Sequence, residues 1–65
     1  MKPTIGRIVI YTLYDGFEPC PAVIVRVWSD TCVNLKVFID GPQDMWVTSV
    51  CEGTGPRSWH WPAKV

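Results

Sequence analysis

Turn chemistry recurs along this chain so often that no apolar stretch runs long enough to make a helix. Gly, Pro, Asp and Ser punctuate short runs of β-branched and aromatic residues, and no segment keeps helical periodicity over ten or more residues. What fits between the turns is a set of short strands. Arg7 to Leu13 (Arg-Ile-Val-Ile-Tyr-Thr-Leu) is dense in residues that suit a pleated, half-buried surface. Tyr14 to Pro21 holds one glycine, two prolines and two acids in eight residues and reads as a long loop. Ala22 to Trp28 alternates so that Val23, Val25 and Val27 share one face, read as the core face, with Ile24, Arg26 and Trp28 on the other.

Ser29-Asp30-Thr31 supplies turn-forming oxygens, and Cys32 to Ile39 resumes the alternation, with Val33, Leu35, Val37 and Ile39 opposite Asn34, Lys36 and Phe38. The two runs make an antiparallel hairpin. Asp40-Gly41-Pro42-Gln43-Asp44 is the strongest turn signal, because glycine accepts positive φ and proline cannot donate to a ladder. Met45 to Val50 reads as a fourth strand, Glu52 to Pro56 as an irregular crossing, and Ser58-Trp59-His60-Trp61 as a fifth strand or an ordered closing tail. The acids Asp15, Asp30, Asp40 and Asp44 fall at these turns, where short carboxylate side chains bond the local backbone. The expected fold is all-β, a small SH3-like barrel or a strongly curled five-stranded antiparallel sheet, in one domain spanning residues 1–65. An open meander that closes only by dimerising is the runner-up.

A chain of 65 residues buries only about 60% of its unfolded surface, and such a core rarely supplies more than about 3–5 kcal/mol. Small domains of this kind lean on disulfides, metals or self-association, and a homo-oligomer, dimeric or higher, is expected. The apolar fraction of 48% excludes a disordered tail. Six Lys and Arg balance six Asp and Glu, which argues against gripping duplex nucleic acid, and no run of about 18 apolar residues is present to span a membrane as a helix. Cys20, Cys32 and Cys51 are odd in number, make no Cys-x-x-Cys pair and follow no apolar leader, so a reducing cytosol and three free, mostly buried thiols are expected. Zinc held by the three cysteines and His60 is chemically feasible, but structural sites usually bring their ligands in close pairs; no metal or other cofactor is expected.

No nucleophile, metalloprotease or phosphate-loop motif occurs, so an enzyme is the weakest class. The unusual feature is tryptophan: Trp28, Trp46, Trp59 and Trp61. Large rings fill the core or a subunit contact in so small a domain, each burying on the order of 150–250 Å². A second role is a stacking platform for a planar base, with a phosphate met by arginine. Arg57 falls two positions before Trp59, on the same face of a regular strand, and His60 lies between Trp59 and Trp61. The candidate ligand-binding residues are therefore Trp59, Trp61, His60, Arg57, Arg26, Trp28 and Trp46, with Arg7 as a further cation.

The opening Lys2-Pro3-Thr4-Ile5-Gly6-Arg7, the segment Val33-Asn34-Leu35-Lys36-Val37-Phe38 with Asp40-Gly41, Trp46-Val47-Thr48-Ser49-Val50 and the closing Trp59-His60-Trp61-Pro62 resemble a widespread set of small proteins of tailed bacteriophages and prophages. The resemblance runs over nearly the whole chain and implies a protein acting in the cytoplasm of an infected or lysogenic bacterium. It brings no catalytic residue. Accessory phage proteins of this kind are often counter-defence factors, some of them oligomeric sponges that hold cyclic or ADP-ribose-derived immune signals without cleaving them. By that analogy the expected partner is a nucleotide-like small molecule; the rival expectation is a host protein inhibited through exposed tryptophans acting as hot spots.

Overall fold

The computed structural model describes residues 2–13, 19–39 and 44–62. Five strands follow in order: β1 (Ile8–Thr12), β2 (Pro19–Val27), β3 (Cys32–Phe38), β4 (Asp44–Cys51) and β5 (Ser58–His60). They form one antiparallel sheet in the order β4-β3-β2-β1-β5, and no helix occurs among the described residues. None is therefore long and apolar enough to cross a membrane. The sheet curls until its two edges meet at one end, where the Gly53 N–H donates to the Trp59 carbonyl at 3.0 Å and Glu52 bridges Trp59 in parallel. The rest of the seam between β4 and β5 stays open, which makes a half-barrel.

Cross-strand rows on the concave face build the core. Trp59, Tyr11 and Cys20 stand in one row, Val9, Ala22, Val37 and Met45 in the next, then Ile24, Leu35 and Val47, and last Val33 with Val50. Most of these side chains are fully buried. The valine face expected of β2 is corrected for its first half: Cys20, Ala22 and Ile24 point inward in place of Val23, and Val25 is the 41% exposed extra residue of a bulge, after which the parity switches and Val27, 37% exposed, stands opposite the core residue Val33. The parity of β2 is set by its neighbours, because the register that faces Ala22 with Val9 and Val37 turns Val23 outward. A strongly curled sheet also leaves least room at its central strand. The small side chains Cys20 and Ala22 fill the buried positions of that strand, in one core with Trp59.

β2 starts three residues before its expected first residue and takes in Pro19 and Pro21. On the β3 side, pairing begins only at Ala22, so this end of β2 is an edge on one flank and the missing proline N–H groups leave no ladder bond unmade. Ahead of β1, Gly6 sits at φ +96°, open to glycine, and its N–H reaches the Ile24 carbonyl at 2.8 Å. The β2–β3 hairpin closes as its composition suggests: Ser29 Oγ accepts the N–H groups of Thr31 and Cys32, and the Trp28 N–H bonds the Cys32 carbonyl at 2.9 Å. Of the loop expected at 14–21 and the turn expected at 40–44, residues 14–18 and 40–43, with Asp15 and Asp40, lie outside the described residues, while residues 19–21 and Asp44 belong to β2 and β4.

The expectation of three free thiols is also corrected. Cys32 and Cys51 are joined in a disulfide, while Cys20 is buried and takes no part in it. The reason is register: β3 and β4 pair so that these two residues stand directly opposite, Cα atoms 4.1 Å apart. Linking positions 19 apart in the chain contributes about 3 kcal/mol by constraining the unfolded chain. That is much of what a core this small supplies. It also takes both sulfurs out of any zinc set with Cys20 and His60.

Candidate functional site

Asn34 sits between two irregularities of the ladder. On β2, Val25 is an extra residue between Ile24 and Arg26, which pair with Leu35 and Asn34; on β4, Thr48 and Ser49 together face Asn34. Both bulges bend their strands at the same level. Although it alternates to the outer face, Asn34 is buried, and its Oδ1 accepts from the Trp28 indole N–H at 2.7 Å, the Thr48 hydroxyl at 2.9 Å and the Ser49 N–H at 2.8 Å. One side-chain oxygen thus does what the broken ladder cannot. Ser49 is held there at φ 56°, in the left-handed region that costs a non-glycine residue about 1–2 kcal/mol.

The bulged strand β4 forms one wall of a groove of about 670 Å³ along the open seam. Met45 to Val50 line that wall, and Tyr11, Leu13 and Arg57 line the other. Arg57, at φ 55°, is the second non-glycine residue in the left-handed region, and its N–H donates to the Thr12 carbonyl at 2.7 Å. Just beyond it, the Ser58 hydroxyl donates to the Gly55 carbonyl and tightens the crossing into β5. The two non-glycine residues in the left-handed region among the described residues therefore both line one groove. Arg57 makes no salt bridge among the described residues, while the exposed pairs Lys2–Asp30 at 3.9 Å and Lys36–Asp44 at 3.4 Å lie elsewhere. Burial pushes the Tyr11 phenol above its ordinary value of 10.0, and the nearby Arg57 charge pulls the other way without cancelling it, so the phenol stays protonated at neutral pH. The groove offers a guanidinium, a phenol, the Thr48 and Ser49 hydroxyls and apolar walls, a set that can hold an anion attached to a flat or apolar body.

The candidate residues separate into four places. Trp46, 57% exposed, and Arg57 border the groove. Arg26 and Trp28 lie together on the outer face, the guanidinium 4.1 Å from the ring centroid, so the protein's own cation already covers one face of that ring. Trp59 is fully buried, which corrects its expected role as a stacking platform: its ring fills the core, and its N–H is shared between the Thr31 and Val50 carbonyls at 3.0 and 3.1 Å. Trp61 is half-buried with its ring 5.4 Å from that of Trp59, edge to face at 87°. His60, half-buried, pairs with Ile10. The face that Arg57 was expected to share with Trp59 is lost because a left-handed residue breaks strand alternation.

Sequence reasoning missed Tyr11, Leu13, Met45, Thr48 and Ser49 as groove residues, since they come together only when the sheet curls. Asn34 did carry a signal, a lone amide in the middle of an apolar strand. Among the described residues no group of three or more His, Cys, Asp or Glu side chains could hold a metal ion. Comparison of the chain with family models, with curated proteins and with solved structures finds no match in any of the three.

Proposed function

We propose that this protein is a non-catalytic counter-defence factor of a tailed phage or prophage that sequesters an anionic, nucleotide-derived immune signal in the groove between β4 and the β1–β5 side. The observation that carries this reading is Arg57, a guanidinium with no salt bridge among the described residues, at a groove large enough for a small molecule whose opposite wall includes an exposed tryptophan. In this reading Arg57 meets a phosphate through its planar fork, the hydroxyls of Thr48 and Ser49 add polar contacts, and the base stacks on Trp46. The resemblance to phage proteins supplies the setting, the host cytoplasm. One chain leaves the groove open, so a homo-oligomer that covers it completes the site.

Thermal-shift screening with cyclic and ADP-ribose-derived nucleotides, followed by calorimetry, tests the proposal. Trp46→Ala should lose about 1–3 kcal/mol of binding, and Arg57→Lys should weaken binding because the charge stays while the fork is lost. The ligand should be recovered intact after heat release. Unchanged affinity in folded variants would falsify the site, and recovery of a cleaved product would remove sequestration.

A second reading, inhibition of a host protein, is favoured by one observation. Ile8, Val23, Lys36 and Trp46 form a continuous row on the outer face, with Ile8 and Trp46 more than half exposed and Phe38 exposed nearby. Antiparallel sheets usually turn polar residues to solvent, so this row suits a concave apolar partner. Ile8→Lys should abolish inhibition under this reading and leave nucleotide binding untouched.

A further inference from the structure

The two carbonyls that share the Trp59 indole N–H belong to Thr31 and Val50, the residues immediately before Cys32 and Cys51. Those cysteines are the pair joined across β3 and β4. On the far side of the bridge the Glu52 N–H donates back to the same Thr31 oxygen at 2.8 Å. The disulfide therefore fixes the separation of two acceptors that hold one buried ring. Trp59 in turn anchors β5, a strand of three residues, and Arg57 stands just ahead of it while Val50 lines the opposite wall of the groove. The covalent link lies directly behind the clasp where the half-barrel closes. Thiols can reach it, because Cys51 is exposed and Cys32 half-buried. The Thr31 hydroxyl lies 3.7 Å from Cys32 Sγ and can donate to that sulfur.

We propose that Cys32–Cys51 is a site of thiol–disulfide exchange with low-molecular-mass thiols, and that the exchange sets how firmly Trp59 and the β5 side of the groove are held. An incoming thiolate attacks Cys51 Sγ and forms a mixed disulfide as the bond to Cys32 breaks. The electron pair of that bond stays on Cys32 Sγ, which accepts a hydrogen bond from the Thr31 hydroxyl and then takes a proton from water. A second thiolate attacks the small-molecule sulfur of the mixed disulfide and releases Cys51 as a thiolate, which is protonated in turn. Two small thiols are oxidised to one small disulfide, and the protein disulfide is reduced to two thiols; a small disulfide reverses the sequence. Without the bridge the Thr31 and Val50 carbonyls are tied by the end of the β3–β4 ladder, next to the bulge at Thr48 and Ser49, by the Glu52 N–H bond to Thr31 and by the shared indole N–H itself. The clasp loosens at the end of the sheet that has least to hold it.

The test uses the intact chain labelled with nitrogen-15, oxidised or treated with glutathione, and follows both alkylation of native protein by mass spectrometry and hydrogen exchange of the Trp59 indole N–H. The proposal expects alkylation of Cys32 and Cys51 only after glutathione. It also expects the indole exchange to speed up on reduction by at least roughly tenfold more than the amides of β1 to β3, which share only the loss of global stability. Cys32→Ser combined with Cys51→Ser should reproduce the reduced pattern without any thiol reagent. A bridge inert to glutathione in the native protein, or an indole proton that exchanges equally in both forms, overturns the proposal. So does collapse of the whole sheet on reduction or in the double variant, since the effect is then global and not a clasp. Because the readout is a proton on Trp59, the outcome does not depend on what occupies the groove.

Discussion

At the residue scale the decisive position is Asn34. A buried amide inside an apolar strand is costly unless its polar atoms are matched, and here one oxygen gathers three donors from Trp28, Thr48 and Ser49. It replaces ladder bonds that the bulge on β4 has removed and keeps Ser49 in its left-handed conformation on the groove wall. Asn34→Ala should therefore lower unfolding free energy by about 1–3 kcal/mol, because the donors lose their acceptor in a partly buried place. Urea denaturation followed by fluorescence measures it. A loss below a few tenths of a kcal/mol would mean that water takes over the acceptor role and that the network has little to do with the shape of β4.

Among the elements, β2 shows how far alternation alone carries. Both faces of Ala22 to Trp28 hold branched apolar residues, so a period of two reveals a strand but does not say which face is inside. Pairing decides it, with Ala22 between Val9 and Val37, and the bulge at Val25 then leaves Val25, Arg26 and Val27 all exposed. The expected consequence is asymmetric. Ile24→Ala should cost about 2–5 kcal/mol, as for other fully buried aliphatic residues. Val25→Lys, at the exposed bulge residue that alternation alone puts on the core face, should stay within about 0.5 kcal/mol of the parent. Thermal melts of the two variants distinguish the faces, and a reversed order would return the core to the valines.

For the molecule as a whole, the open seam matters most. The β4 and β5 edges meet only around Trp59, and the exposed Trp46 on β4 and Ile8 across the outer face leave apolar surface uncovered in a chain of zero net charge, which does not oppose self-association. A dimer with Trp46 at the contact is the expected state at micromolar concentration. Light scattering should report twice the chain mass for the parent and the chain mass for Trp46→Glu. A monomeric parent would remove the dimer and leave the groove a site of one chain.

The sequence by itself determined the class and the first four strands, leaving Ser58 to Trp61 as a strand or a closing tail, because turn residues come too often for helices and each interval holds one β-rich run. It also marked β3 correctly, where Val33, Leu35 and Val37 alternate against polar or exposed neighbours. Local signals reach no further, since each reports on a few adjacent residues. Which face of β2 lies inside, that Cys32 meets Cys51, that Trp59 is core while Trp46 is surface, and that Tyr11, Ser49 and Arg57 share a groove were decided by the tertiary structure. All of these depend on register and curl, which are set by contacts between strands distant in the chain, and two single-residue bulges beside Asn34 were enough to redirect them.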